Sequence, residues 1–382
     1  MANHTLLVEK VLISKLNSGD HSAFSSIFTT YYQNLVMFAT RFMHDPNDAE
    51  EIVQERNITT KFMKLYITWL ICIISICASG QNKNQNKFAL LLNKDTIYSA
   101  LDGNLQIFYY YKSNHKKPRP LIVQLHSWSY TAEALQTIGL DTVAIKNNYN
   151  YIFPNFRGVN NHPKACCSEF VIADIDEAID WALKNLNVDR NRIYVIGYSG
   201  GGYATLAMYM KSRHKIRGFS AWASISDLVA WYGESVERKN KYANEIIRCI
   251  GTSNIFDTLN AEKRSPLYWT TPVKKRKKSD LQIFAGIHDG YYNGPVPISQ
   301  SINFYNKLLS DFGETDTSKY VNNRDLKIMI NTQSFPFSNS NNRIDDRTIH
   351  YQKASKKVML TIFEGGHDML SKQALEYIEH RK

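Results

Sequence analysis

Cysteine is scarce in this chain of 382 residues: there are five, too few for a small scaffold stapled by disulfides, and no CxxC or Cys/His spacing suggests zinc. Proline (10) and glycine (18) are sparse as well, which excludes collagen-like and low-complexity chains. The apolar run at 65–78 holds fourteen residues, short of the roughly 20 that a membrane span needs. With 43% hydrophobic and 21% charged residues, the composition is that of a globular protein. The length allows two or three domains, or one large α/β domain with additions.

Acidic residues are outnumbered, 35 against 46 basic ones, for a net charge of +11. The imbalance is uneven: residues 1–62 carry net −2 and residues 81–382 net +12. The basic residues are mostly dispersed, so nucleic acid is not expected as a partner. The one dense run, Lys274-Lys275-Arg276-Lys277-Lys278, follows a Thr-Pro dipeptide and precedes an expected strand; a solvated loop is the expectation. Cys72 and Cys77 lie in the apolar run. Adjacent Cys166 and Cys167 cannot bond to each other without strain, and Cys249 pairing with one of them stays open.

Residues 63–80 read MKLYITWLICIISICASG. Lysines, a short apolar stretch and a small-x-small end have the anatomy of a secretory signal peptide. A buried core helix and a retained anchor are the alternatives. The segment stands inside the chain, which makes Met63 the expected true start and residues 1–60 an upstream fragment. The product is then secreted or periplasmic; otherwise it is cytoplasmic or anchored by 65–78.

In 12–55, apolar residues recur at helical spacing (Leu12, Leu16; Phe24, Ile27, Phe28, Tyr31; Leu35, Phe38, Phe42), and Asp45-Pro46-Asn47-Asp48 marks a turn. The G-D-x-x-A-F opening, the Tyr31-Tyr32 pair and D-x-x-D-A-E-E-I-V-Q-E resemble region two of an extracytoplasmic-function sigma factor. The resemblance stops at Glu55, before the parts that such factors use on promoter and polymerase, so DNA binding in transcription initiation is only a remote implication.

From residue 83 to 382 strand and helix signals alternate. Strands are expected at 106–111, 121–126 (LIVQLH), 151–156, 192–198, 217–223, 281–285 and 358–363. Helices are expected at 172–186, 201–211, 298–309 and 369–380. That order implies an α/β fold with a mostly parallel sheet covered on both faces.

Gly197-Tyr198-Ser199-Gly200-Gly201 places G-x-S-x-G between an expected strand and helix, the context that a nucleophile elbow requires. Ser199 is the expected nucleophile. Asp289 stands just beyond the 281–285 strand as the expected acid, and His367, between the last strand and the last helix, as the base. The order Ser, Asp, His fits this fold. His288 beside the acid is set aside in favour of the later histidine. An oxyanion hole needs two backbone N–H groups: Gly200 supplies one, and the loop after LIVQLH the other, from Trp128 or Ser127. His126 is expected to brace that loop. Trp222, Trp231, Tyr232, Tyr291 and Tyr292 fall near loops above the strand ends, to stack on sugar rings or to pack core and lid.

These residues resemble the α/β-hydrolase catalytic domain of the prolyl-oligopeptidase type and its esterase relatives. Pro154-Asn155-Phe156-Arg157-Gly158 is similar to that family's P-x-[YF]-R-G segment, and Asp174 to Trp181 to its D-x-x-x-A-x-x-W helix. Ser265-Pro266 and Gly286-x-x-Asp289 followed by Val296-Pro297-x-x-Gln300 also correspond. His126-Ser127-Trp128 stands where the family has H-G-G, a polar insertion near 312–352 widens the gap between acid and base, and no β-propeller precedes the hydrolase region. The resemblance implies an acyl-enzyme mechanism without metal or organic cofactor. It implies a secreted carboxylic or carbohydrate esterase acting on a small-molecule or polysaccharide ester, with an oligopeptidase acting on short peptides as the alternative.

Overall fold

The computed structural model describes residues 91–379 apart from 135–138, 252–254, 292–293 and 337–341. The sigma-factor and signal-peptide readings, the start at Met63, and Tyr292 lie outside the described residues.

Among the described residues ten strands form one sheet. In chain order they are β1 (Asn93–Tyr98), β2 (Leu105–Tyr111), β3 (Arg119–Leu125), β4 (Asn150–Pro154), β5 (Val188–Tyr198), β6 (Gly218–Trp222), β7 (Asp280–Gly286), β8 (Arg343–Ile344), β9 (Arg347–Ser355) and β10 (Val358–Phe363). Their order across the sheet is β1-β2-β4-β3-β5-β6-β7-β10-β9-β8. The stretch from β4 through β3, β5, β6 and β7 to β10 is parallel throughout. β1 and β2 extend one side antiparallel, and β9 and β8 the other.

The parallel strands are short apolar runs because helices cover both faces. Side chains alternate across the sheet. Leu121 and Val123 of β3 join one core, with residues of the Glu169–Asn185, Gly200–Lys211 and Ile298–Asp311 helices. Ile122 joins the other core, with Leu140, Ala144, Ala374 and Leu375. Each fully buried Leu, Ile or Val side chain among them contributes roughly 1.5–3 kcal/mol of transfer free energy. Among the described residues no helix is long and apolar enough to cross a membrane.

The expected strands and helices all form. The polar insertion is not a bare loop: it holds the Asn323–Thr332 helix and strands β8 and β9, and β9 pairs along β10. Between β6 and β7 the helices Leu228–Glu237, Tyr242–Ile250 and Thr258–Lys263 form a helical insertion, ahead of the short Val273–Arg276 helix.

The basic run is a correction to the solvated-loop expectation. Its four lysines are exposed, but Arg276 is completely buried at the end of a short helix, Val273–Arg276. The Arg276 guanidinium donates to the carbonyls of Met208 (3.0 Å), Ser212 (3.2 Å) and Tyr209. Those carbonyls end the Gly200–Lys211 helix, where unpaired C=O groups and the helix dipole favour a cation. Burial pushes the Arg276 pKa down to about 10. Cys249 pairs with Cys166, while Cys167 stays a buried free thiol.

Candidate active site

Three loops at the ends of β5, β7 and β10 meet. Ser199 follows β5 directly and caps the Gly200–Lys211 helix with φ 59° and ψ −120°. This is a sparsely populated conformation for a side-chain-bearing residue. The close turn tolerates only glycine around it. A Cβ on Gly197 would lie 2.0 Å from the Gly201 carbonyl oxygen, and one on Gly200 would lie 2.2 Å from the Trp128 nitrogen. The Ser199 amide is held by the Trp222 carbonyl at 2.9 Å.

Ser199 Oγ donates to His367 Nε2 over 2.9 Å, and His367 Nδ1 donates to Asp289 Oδ2 over 2.7 Å. The second oxygen of Asp289 accepts the Val296 N–H at 3.1 Å. The Asp289 side chain is wholly buried. Burial pushes its pKa above the ordinary value, against the pull of the His367 imidazole. The acid therefore sits where its charge is best compensated by an imidazolium, the arrangement that keeps one histidine tautomer and stabilises its cation.

Around Gly200 the structure places the Ser127–Trp128 peptide: a Cβ there would lie 2.2 Å from the Trp128 nitrogen and 2.9 Å from the Ser127 carbonyl carbon. The Trp128 peptide nitrogen lies against Gly200, and among the described residues no acceptor is bonded to the Trp128 or the Gly200 N–H. Two N–H groups are thus free at the N-terminal end of a helix, a site suited to a developing oxyanion. The Ser127 hydroxyl donates to the Tyr198 carbonyl at 2.9 Å. His126 is fully buried; its Nε2 donates to the Asn155 carbonyl at 2.7 Å and its ring stacks on Phe156 at 3.8 Å. Burial lowers its pKa, so it braces the loop as a neutral imidazole.

His288 is turned away from the serine and bound to Glu364. Glu364 also takes His350, both at 2.7 Å. Burial pushes the Glu364 pKa up, yet the hydrogen bonds from His350 and His288 outweigh it and hold the carboxyl below its usual range. The His288 contact ties the acid loop to the base loop and the His350 contact ties β9 to it; the His288 main-chain N–H reinforces the first by donating to the Gly365 carbonyl at 3.0 Å. Sequence reading missed Glu364, although its position three residues before the base and the histidine beside the acid were visible. Of the aromatics, Trp222 and Trp231 are core residues, at most 1% exposed, while Tyr291 is half exposed.

Fold and site define the class: a serine hydrolase built on the α/β-hydrolase fold. More narrowly, the chain belongs to the BD-FAE family, whose model matches residues 106–308. It is similar to poly(3-hydroxyalkanoate) depolymerase C of Paucimonas lemoignei, 29% identical over 127 residues, which are 31% of this chain and 30% of that protein. Among solved structures it is similar to a puromycin-hydrolyzing peptidase of Mycobacterium tuberculosis. There the TM-score is 0.50 and the identity 14%, covering 75% of this chain and 38% of that one. It is also similar to an acylaminoacyl peptidase of Pyrococcus horikoshii, with TM-score 0.47 and 17% identity, covering 76% and 41%. The chain thus spans less than half the length of each of these proteins, and the likeness to the puromycin-hydrolyzing peptidase, at that identity, concerns the fold.

Proposed function

We propose that the protein is an exported carboxylic or carbohydrate esterase working through an acyl-enzyme. The observation that carries the reading is the continuous hydrogen-bond chain from Ser199 through His367 to Asp289, beside two unspent N–H groups. Ser199 Oγ attacks the ester carbonyl while His367 takes its proton. Asp289 holds the imidazole Nδ1–H and offsets the positive charge. The tetrahedral oxyanion is received by the N–H groups of Gly200 and Trp128, at roughly 3–4 kcal/mol for each donor in the transition state. His367 then protonates the departing alkoxide. Water, deprotonated by the same imidazole, attacks the acyl-serine and releases the acid.

Ester specificity is supported by the relative named for depolymerising a poly(3-hydroxyalkanoate), whose units are joined by ester bonds. The exposed Tyr130 and Tyr291 are suited to stacking on a sugar ring. Export is supported by the Cys166–Cys249 bridge, since disulfides persist in oxidising compartments. Translation from Met63 with cleavage after the small residues near 78–80 fits the same reading. Sequencing the N-terminus of the protein recovered from its native cells tests this: a terminus upstream of Met63 would overturn it.

The test of activity compares the full chain with Ser199→Ala on an acetylated chromogenic ester, acetylated xylan and a set of dipeptidyl amides. Ester turnover that disappears in Ser199→Ala, with amides untouched, is the expected result. Amide turnover of comparable efficiency would overturn the esterase reading in favour of a peptidase.

A further inference from the structure

The side chain and the main chain of Trp128 are anchored from two directions. Its indole N–H donates to Glu245 Oε2 at 2.8 Å, 117 residues away in sequence. Glu245 lies on the Tyr242–Ile250 helix of the insertion. Lys241, at the start of that helix, donates to Ser129 Oγ at 2.7 Å, so the helix grips the loop twice. On the main-chain side, the Trp128 carbonyl accepts the Asn160 N–H at 2.8 Å. Asn160 is itself buried, and its Oδ1 accepts the Cys166 N–H at 2.8 Å. Cys166 is bridged to Cys249 on the same helix as Glu245. The loop is therefore closed into a ring of contacts that begins and ends on one helix.

A residue whose side chain and carbonyl are both fixed has little freedom left for its own N–H. That N–H belongs to the nitrogen packed against Gly200, and preorganised donors are effective because they need not reorient as charge develops. In place of a glycine-rich loop, which sets such an N–H by backbone geometry alone, this chain carries a bulky side chain and a partner for it. We infer that Glu245 is a positioning residue for the oxyanion hole, acting through the Trp128 indole, and that the Tyr242–Ile250 helix with its disulfide is the brace of that donor. The inference rests on the esterase reading above.

The test measures kcat and KM on the chromogenic ester for Glu245→Leu, Glu245→Gln, Trp128→Phe and the Glu245→Leu/Trp128→Phe double variant, with inhibition by a boronic acid that forms a tetrahedral serine adduct. Glu245→Leu cannot accept the indole hydrogen; the Gln carbonyl can. Misplacing a catalytic group by about 1 Å costs up to roughly a hundredfold. Glu245→Leu and Trp128→Phe are therefore expected to lower kcat by about tenfold or more, with KM nearly unchanged. Boronate affinity should weaken by a similar factor, Gln should recover most of the loss, and the double variant should be no worse than the single ones. Melting temperatures and labelling of Ser199 by a fluorophosphonate show that the variants are folded. If wild type turns over ester and labels, but Glu245→Leu keeps its kcat or loses kcat and KM together with melting temperature, the brace is overturned and the esterase reading stands. If wild type neither turns over ester nor labels, both fall together.

Discussion

Tyr198 donates its phenolic hydrogen to the main-chain oxygen of His367 across 2.6 Å. The residue before the nucleophile thus holds the base, and the two rings lie 4.9 Å apart. Burial keeps the Tyr198 phenol far above its ordinary pKa, so it remains a donor. Tyr198→Phe removes the bond and leaves a carbonyl unpaired, which costs about 1–2 kcal/mol. The expected result is a fall in kcat of about five- to tenfold with KM little changed, measured by steady-state kinetics on the chromogenic ester.

Asp289→Asn keeps an oxygen for the Val296 N–H but no longer accepts from His367 as an anion. The imidazole loses its tautomer preference and the partner of its cation. The expected fall in kcat is on the order of 10⁴-fold, with little change in the unfolding midpoint. A variant within tenfold of wild type would remove Asp289 from the triad.

Glu234 offers a pH test. Burial pushes its carboxyl up from an ordinary 4.5 to about 7, and one of its buried oxygens has no hydrogen-bond partner. Because the folded state holds the proton more tightly than the unfolded one, the contribution to stability is complete below pH 4.5 and is lost as pH rises through 7. Glu234→Gln is expected to flatten this decline and to melt higher than wild type at pH 8, but not at pH 4.5. The gain is about 2–4 °C if the effect, discounted for partial exposure, is on the order of 1 kcal/mol. Thermal melts at the two pH values decide it.

Arg157 sits in a buried ion network, bonded to both oxygens of Asp174 at 2.6 and 3.0 Å and to Asp102 at 2.8 Å. Asp174→Asn leaves the guanidinium with one carboxylate fewer. Breaking such a pair from one side costs several kcal/mol; here, with Asp102 remaining, about 3 kcal/mol is expected. Urea unfolding measures it, and kcat at 25 °C should barely change, since the network lies outside the triad.

The legible part of the chain was what local patterning encodes. LIVQLH and RIYVIGY are apolar runs that read as buried strands, and Ser199, Asp289 and His367 stand at strand ends where loop chemistry is visible in a few residues. The Ser127-or-Trp128 alternative could not be resolved locally, because it depends on where Gly200 comes to lie. β1 (NKDTIY), an edge strand, and β9 (RTIHYQKAS), flanked on its outer side only by the two-residue β8, were missed because strands at the margin of a sheet carry polar and charged residues that blur the alternation. Arg276 was hidden inside a lysine run whose solvated appearance is right for its neighbours and wrong for itself. Glu245 has no local signal, since its partner lies 117 residues away. The pairing of Cys249 with Cys166 rather than Cys167 likewise waits on the fold.

The nucleophile, the acid and the base follow β5, β7 and β10, which reach one another only through the order β5-β6-β7-β10. Ser199 and His367 are 168 residues apart, so the pair forms only once strands distant in sequence are in place. Catalysis is therefore a stopwatch for the last step of assembly. During refolding, ester turnover should return later than helical content and together with the docking of the final strand, so that a population carrying most of its secondary structure is still chemically silent.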